Sequence, residues 1–122
     1  MDEVCSIVEG RFGTVAVREI SHDLIMHAHA DMQFGYWMGG GTAHANLGAI
    51  QASYNEAVVV GINRYQSHDF ILDSPQTPVI VLLLNIHLPW LDDVRRELGN
   101  PAVLTTPQIV LTPQIRIAAW SL

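Results

Sequence analysis

The chain has 122 residues, 49% hydrophobic and 15% charged, which is enough apolar material for one packed domain and too much for a disordered one. Twelve acidic residues against six basic ones leave a net charge of −6, which excludes direct binding to a nucleic-acid backbone, an affinity that Lys and Arg supply. Cys5 is the single cysteine, so no internal disulfide can form, and the expected location is a reducing cytoplasm.

The N-terminal "MDEVCSIVEG" carries two acids where a signal peptide would be basic, and it reads as an arm ahead of the first strand. Phe12 to Ile20, "FGTVAVREI", alternates and is rich in β-branched residues, as a half-buried strand should be. "DLIMHAH" and "MQFGYWM" follow as strands, the second closed by Gly39, Gly40 and Gly41. "TAHANLGAIQAS" is ambiguous, because alanine and glycine weaken a strand while no 3.6-residue stripe argues for a helix. "AVVVGI" and "HDFILD" read as strands around the turn-like "NRYQS". Continuously apolar "TPVIVLLLNIHL" reads as a strand buried on both faces, and its core from Val79 to Ile86 is too short to span a bilayer, so no membrane is expected as a partner. Pro89 to Gly99 forms a helix, with proline at its start, Asp92 and Asp93 in its first turn and Arg95 and Arg96 late, the order the macrodipole favours. Thr112 and Pro113 open a second helix that shares Ile115, Ala119 and Leu122 on one face, and the chain then stops without a terminating signal, as if cut. Seven or more short strands at this spacing predict an all-β sandwich or barrel.

One constellation carries chemistry. Side chains two apart on a strand share a face, so His27 and His29 point the same way. If the chain turns back after Asp31, Gln33 and Trp37 reach the same interior, and His68 opens a distant strand. Imidazoles so arranged can hold zinc, nickel, copper or iron, can line a pocket for an organic ligand, or can be satisfied polar lining. Trp37 is a candidate stacking residue, although core packing is the commoner use, and Arg64 is a candidate partner for an anionic effector, although most turn arginines are only solvated. Asp31 could replace Gln33 as a ligand or simply stabilise the turn. His22 and His44 have no partners at ligand spacing, and His87 ends the long strand. No serine elbow or phosphate-binding glycine loop is present.

"HAHADMQFGYWMG" resembles the first conserved motif of the cupins, and "YNEAVVVGINRYQSHDF" is similar to the second, whose histidine is His68. The order of features, with Trp90-Leu91 after the long apolar strand and "TTPQIVLTPQIR" beyond it, resembles the N-terminal domain of AraC/XylS-type transcription regulators. The resemblance implies a cupin-type double-stranded β-helix, a jelly-roll barrel with one short helix and the start of a C-terminal one. It implies an effector-sensing domain over residues 1–122, truncated before a helix-turn-helix domain, working as a homodimer and meeting DNA only through that missing part. On this reading the chain is no enzyme, and His27, His29, Gln33, Trp37, Arg64 and His68 bind a small-molecule effector. A divalent transition metal (zinc, nickel or iron) on His27, His29, Gln33 and His68 is the cofactor it allows. The alternatives are a metal-dependent cupin enzyme, a dioxygenase or isomerase, using the three histidines, and a stand-alone metabolite-binding protein. Three departures mark the chain: Gln33 stands where the enzymatic pattern has a carboxylate, the proline-glycine pair of the second motif is replaced, and the DNA-reading module is missing.

Overall fold

The computed structural model describes residues 2–98 and 108–110. In chain order the described elements are β1 (Asp2–Gly10), β2 (Gly13–Ile20), β3 (Leu24–His27), β4 (Met32–Gly40), β5 (Ala43–Leu47), β6 (Ile50–Tyr54), β7 (Val58–Ile62), β8 (His68–Leu72), β9 (Val79–Ile86), α1 (Leu88–Leu98) and β10 (Gln108–Val110). The strands build a six-stranded sheet, β1-β2-β9-β4-β7-β10, and a four-stranded one, β3-β8-β5-β6. Every pairing is antiparallel, so the expected all-β, two-sheet architecture is what forms.

The core lies between the sheets. Ile20, Val60, Ile62, Val79 and Val81 from the larger sheet pack with Ala45, Leu47, Tyr54, Phe70 and Leu72 from the smaller. The ambiguous alanine-rich stretch is the β5–β6 hairpin, in which Leu47 pairs with Ile50 across a turn that Gly48 enters at φ 64°. Its alanines are an asset here: Ala43, Ala45 and Ala52 are at most 1% exposed and let the smaller sheet approach the core closely. On β9, Val79 and Val81 fill the core while Leu82 joins Tyr36 in a second cluster with Val15, Val17, Met38 and Val59. The strand therefore does have two apolar faces, as its composition predicts, although the outer one is only partly covered.

Two expectations need correction. The N-terminal stretch is not a loose arm: it is β1, hairpinned to β2 with Gly10 opposite Gly13. Its two acids and isolated apolar residues obscure an edge strand, which needs only one apolar face, and Ile7 and Val8 are indeed 51% and 60% exposed. The helix begins at Leu88, one residue earlier than predicted, so no acidic residue lies in its first turn and the macrodipole argument for Asp92 and Asp93 lapses; Asp93 instead pairs with Arg96. Within "TTPQIV", Gln108–Val110 forms strand β10 against β7, an element the sequence reading does not assign. The helix expected from Thr112 onward lies outside the described residues.

Because Ile62 is 1% exposed at the centre of the core, Ile62→Ala should lower the unfolding free energy by about 2–4 kcal/mol in urea denaturation. Ile25→Ala, at a site 85% exposed, should change it by no more than about 0.5 kcal/mol.

Candidate metal centre

His27 is the last residue of β3 and His68 the first of β8, and the two are register partners across the antiparallel ladder. Directly opposed residues hold their side chains side by side, and these two ring centroids lie 4.3 Å apart. His29 does not share a strand face with His27, as alternation predicted, because β3 has already ended. It arrives from the following irregular segment, which is pinned where the His29 carbonyl accepts the Tyr65 N–H at 2.8 Å. Its ring lies 5.9 Å from that of His27 and 4.9 Å from that of His68. One ring nitrogen from each of the three residues lies within 4.8 Å of the other two.

Hydrogen bonding fixes which nitrogens face inward. His27 Nδ1 sits 2.6 Å from the Ile25 carbonyl, His29 Nδ1 3.0 Å from that of Asp31, and His68 Nδ1 2.9 Å from that of Gln66. A carbonyl can only accept, so each Nδ1 is the protonated donor, and each neutral ring keeps its lone pair on Nε2. The Nε2 atoms of His29 and His68 are buried without a hydrogen-bond partner among the described residues. An unmade bond of that kind is unfavourable by about 1–3 kcal/mol, and a metal ion is the partner that answers two bare lone pairs beside a third imidazole. The three histidines fit a metal ion. His68, 3% exposed, has its pKa held below the ordinary histidine value, first by burial and then by the neighbouring His27 and His29, against the opposing pull of the Gln66 carbonyl. Ligation needs that neutral form.

A cavity of about 50 Å³ opens from the cluster, with His27, Gln33 and His68 at its polar side and Tyr54, Phe70 and Leu83 among its walls. Gln33 thus reaches the site, with its Nε2 donating to Asn85 Oδ1 at 3.0 Å. Trp37 and Arg64, expected at the ligand, are not brought to this cavity. The Trp37 indole donates to the Gly41 carbonyl at 2.8 Å and its ring packs on the core, while Arg64 lies 3.9 Å from Asp92. Asp31 takes part through its backbone carbonyl alone in the contacts seen at His29. His44 is a polar residue of strand β5, its Nδ1 lying 2.8 Å from Asp73 Oδ1, with Thr42 donating to the other carboxylate oxygen at 2.7 Å. Those contacts hold the Asp73 carboxyl below its usual range. Two site residues escaped the sequence reading. Tyr54 follows inward-facing Ala52 by two positions, so strand parity could have placed it, whereas no local signal marks Asn85 as the partner of Gln33.

No protein-family model matches the chain, and no curated protein matches it in sequence. Solved structures match at identities that speak for the fold alone. A cupin-2 domain protein from Shewanella frigidimarina superposes with a TM-score of 0.54 at 13% identity, over 70% of this chain and 79% of that one. Hydroxypropylphosphonic acid epoxidase from S. wedmorenis, in complex with fosfomycin, gives 0.52 at 13% identity, over 66% of this chain and 55% of that one. FeII HppE gives 0.51 at 15% identity over 60% of this chain, which spans only 42% of that protein. The expectation that the chain is no enzyme does not stand, because it carries a three-histidine cluster fit for a metal on a fold that an epoxidase shares. Described helices include none long and apolar enough to cross a membrane. The fold is the cupin double-stranded β-helix, as the two histidine-bearing motifs had implied.

Proposed function

We propose that this domain is a single-metal cupin enzyme, of the dioxygenase or isomerase kind, with His27, His29 and His68 as the ligands. The observation that supports this best is the set of three Nδ1-to-carbonyl bonds, with the buried Nε2 atoms of His29 and His68 left without a partner among the described residues. Three neutral imidazoles suit zinc, nickel or iron, and the FeII named for HppE favours iron. The ion supplies Lewis acidity and open coordination positions for a substrate. Gln33 is the proposed fourth contact: its amide nitrogen is committed to Asn85, which leaves the side-chain oxygen for the ion or for what the ion holds. His68 anchors the inner end, and exposed His27 forms the rim through which substrate enters.

The sensing role implied by the AraC/XylS resemblance is a second reading of the same cavity, with a small effector in place of a substrate. It is favoured by the exposed Ile7 and Val8 on edge strand β1, apolar surface of the sort that self-association covers. It requires a homodimer and a DNA-binding domain supplied beyond Leu122. Sedimentation of the chain as a monomer at every concentration would remove the dimer from that reading.

Purified protein should take up one equivalent of Fe2+ or Zn2+ by elemental analysis. His27→Ala, at an exposed position, should fold normally yet lose more affinity than the about 10–100-fold that loss of an outer hydrogen-bond partner brings. An equal metal load in both proteins would defeat the metal reading. Because the folded-state pKa of His68 is depressed, the unfolded chain holds a proton that the folded chain lacks between that value and about 6.5. Stability of the metal-free protein is therefore expected to be full above pH 6.5 or so and to fall as the pH drops below about 6.5, as read from denaturation midpoints.

A further inference from the structure

We infer that Tyr54 is a ligand-binding residue of this cavity, its phenol donating a hydrogen bond to a small oxyanion head group, such as a carboxylate, that completes the coordination of the metal. The inference rests on the metal reading above and names the chemistry of what the site accepts.

Charge gives the first reason. Three neutral imidazoles do not offset the two positive charges of a divalent ion. Asp69, next to His68 in sequence, also lines the cavity but is not one of the clustered ligands; its carboxylate is engaged by the Asn46 backbone N–H at 2.7 Å and the Asn46 side-chain amide at 3.1 Å. With no carboxylate among the clustered ligands, an anionic bound molecule is the donor that balances the ion. Oxygen anions are the natural donors to such ions once imidazole positions are filled.

Position and size give the second. Tyr54 is 4% exposed, lines the same cavity as His27 and His68, and its hydroxyl is hydrogen-bonded to no described residue. Buried tyrosine hydroxyls ordinarily find a partner, so one left open on a cavity wall points to a group that enters the cavity. The ring has been given its place deliberately by the backbone: a Cβ on Gly35 would come within 2.9 Å of Tyr54 Cε2, so only glycine on β4 lets the ring lie there. Phe70 holds the other side, its centroid 5.1 Å away. Burial also pushes the phenol's ionisation upward, so it stays a donor and adds no negative charge of its own. A volume of about 50 Å³ admits a head group of a few atoms, whereas sites that enclose drug-sized ligands run to about 300–1,000 Å³.

The test uses the full chain loaded with Co2+, with acetate as the probe and acetamide as its neutral counterpart. Co2+ uptake is read first from ligand-field absorption, and the perturbation of those bands then reports binding of the probe. Wild type is expected to bind acetate at least about tenfold more tightly than acetamide, and Tyr54→Phe, which keeps the ring, to bind acetate about tenfold or more weakly than wild type. In wild type labelled at tyrosine Cζ, acetate should shift one resonance, and that resonance should persist in Tyr36→Phe and Tyr65→Phe. Protein that takes up no Co2+ defeats the metal reading and this inference together. Co2+-loaded protein in which acetate binds no better than acetamide, or binds equally to wild type and Tyr54→Phe, defeats this inference alone. Should Tyr54→Phe fail to fold, the labelled wild type decides, and an unmoved Tyr54 resonance overturns the assignment.

Discussion

Each of the three clustered imidazoles is tethered through Nδ1 to a carbonyl two residues away in its own chain segment, and this repeated short-range bond is the constraint on which the site depends. It does two things at once. It selects the tautomer, so that the basic nitrogen is Nε2, and it orients the ring plane, so that the lone pair has a direction before any ligand arrives. The partners are backbone atoms at Ile25, Asp31 and Gln66, so side-chain substitution at those positions leaves the acceptors in place. Preorganisation is thus written into main-chain geometry instead of a second layer of carboxylates.

The fold supplies the remaining coordinates. Strand pairing sets His27 opposite His68, and the turn between β7 and β8 serves both other parties: Tyr65 N–H binds the His29 carbonyl, while Gln66 lends its carbonyl to His68. That turn is itself held by Gln66, whose side-chain oxygen accepts the Asn63 N–H at 3.0 Å, and by Tyr65 at φ 59°, a left-handed conformation that non-glycine residues seldom adopt. Strain at Tyr65 is therefore the local cost of joining β7 to β8 so tightly that two histidines share one scaffold. Tyr54, Phe70 and Leu83, packed in the core between the sheets, form apolar walls of the cavity.

Much of this was legible from residue types and spacing. Period-two alternation located β2, apolar runs on either side of the turn-like "NRYQS" located β7 and β8, and the histidine pair with a distant third imidazole located the metal centre. What stayed hidden has physical causes. Alternation says nothing about where a strand stops, so spacing alone places His29 on a strand that ends two residues earlier. An edge strand such as β1 needs no strong pattern, since half its surface faces water. Gln33 could be placed at the cavity, but its commitment to Asn85 joins residues 52 apart and leaves no local trace. Trp37 and Arg64 illustrate the converse: each is chemically suited to a ligand, and each is occupied elsewhere, by Gly41 and near Asp92. The five-residue connection around Tyr65 is visible only as "NRYQS", with no hint that it braces two rings.

His68 and His27 sit at opposite extremes of backbone protection. His68 belongs to β8, flanked by partners on both sides, whereas His27 closes β3, a four-residue strand at the sheet margin with an irregular register and with Ile25 and Met26 turned to water. Marginal strands are the first to open in native-state fluctuations, and inner strands open only near global unfolding. The cluster therefore bridges a fast-breathing segment and a slow one. Anything that engages all three rings staples the former to the latter, so amide exchange along β3 becomes a measure of occupancy, insensitive to events on β8.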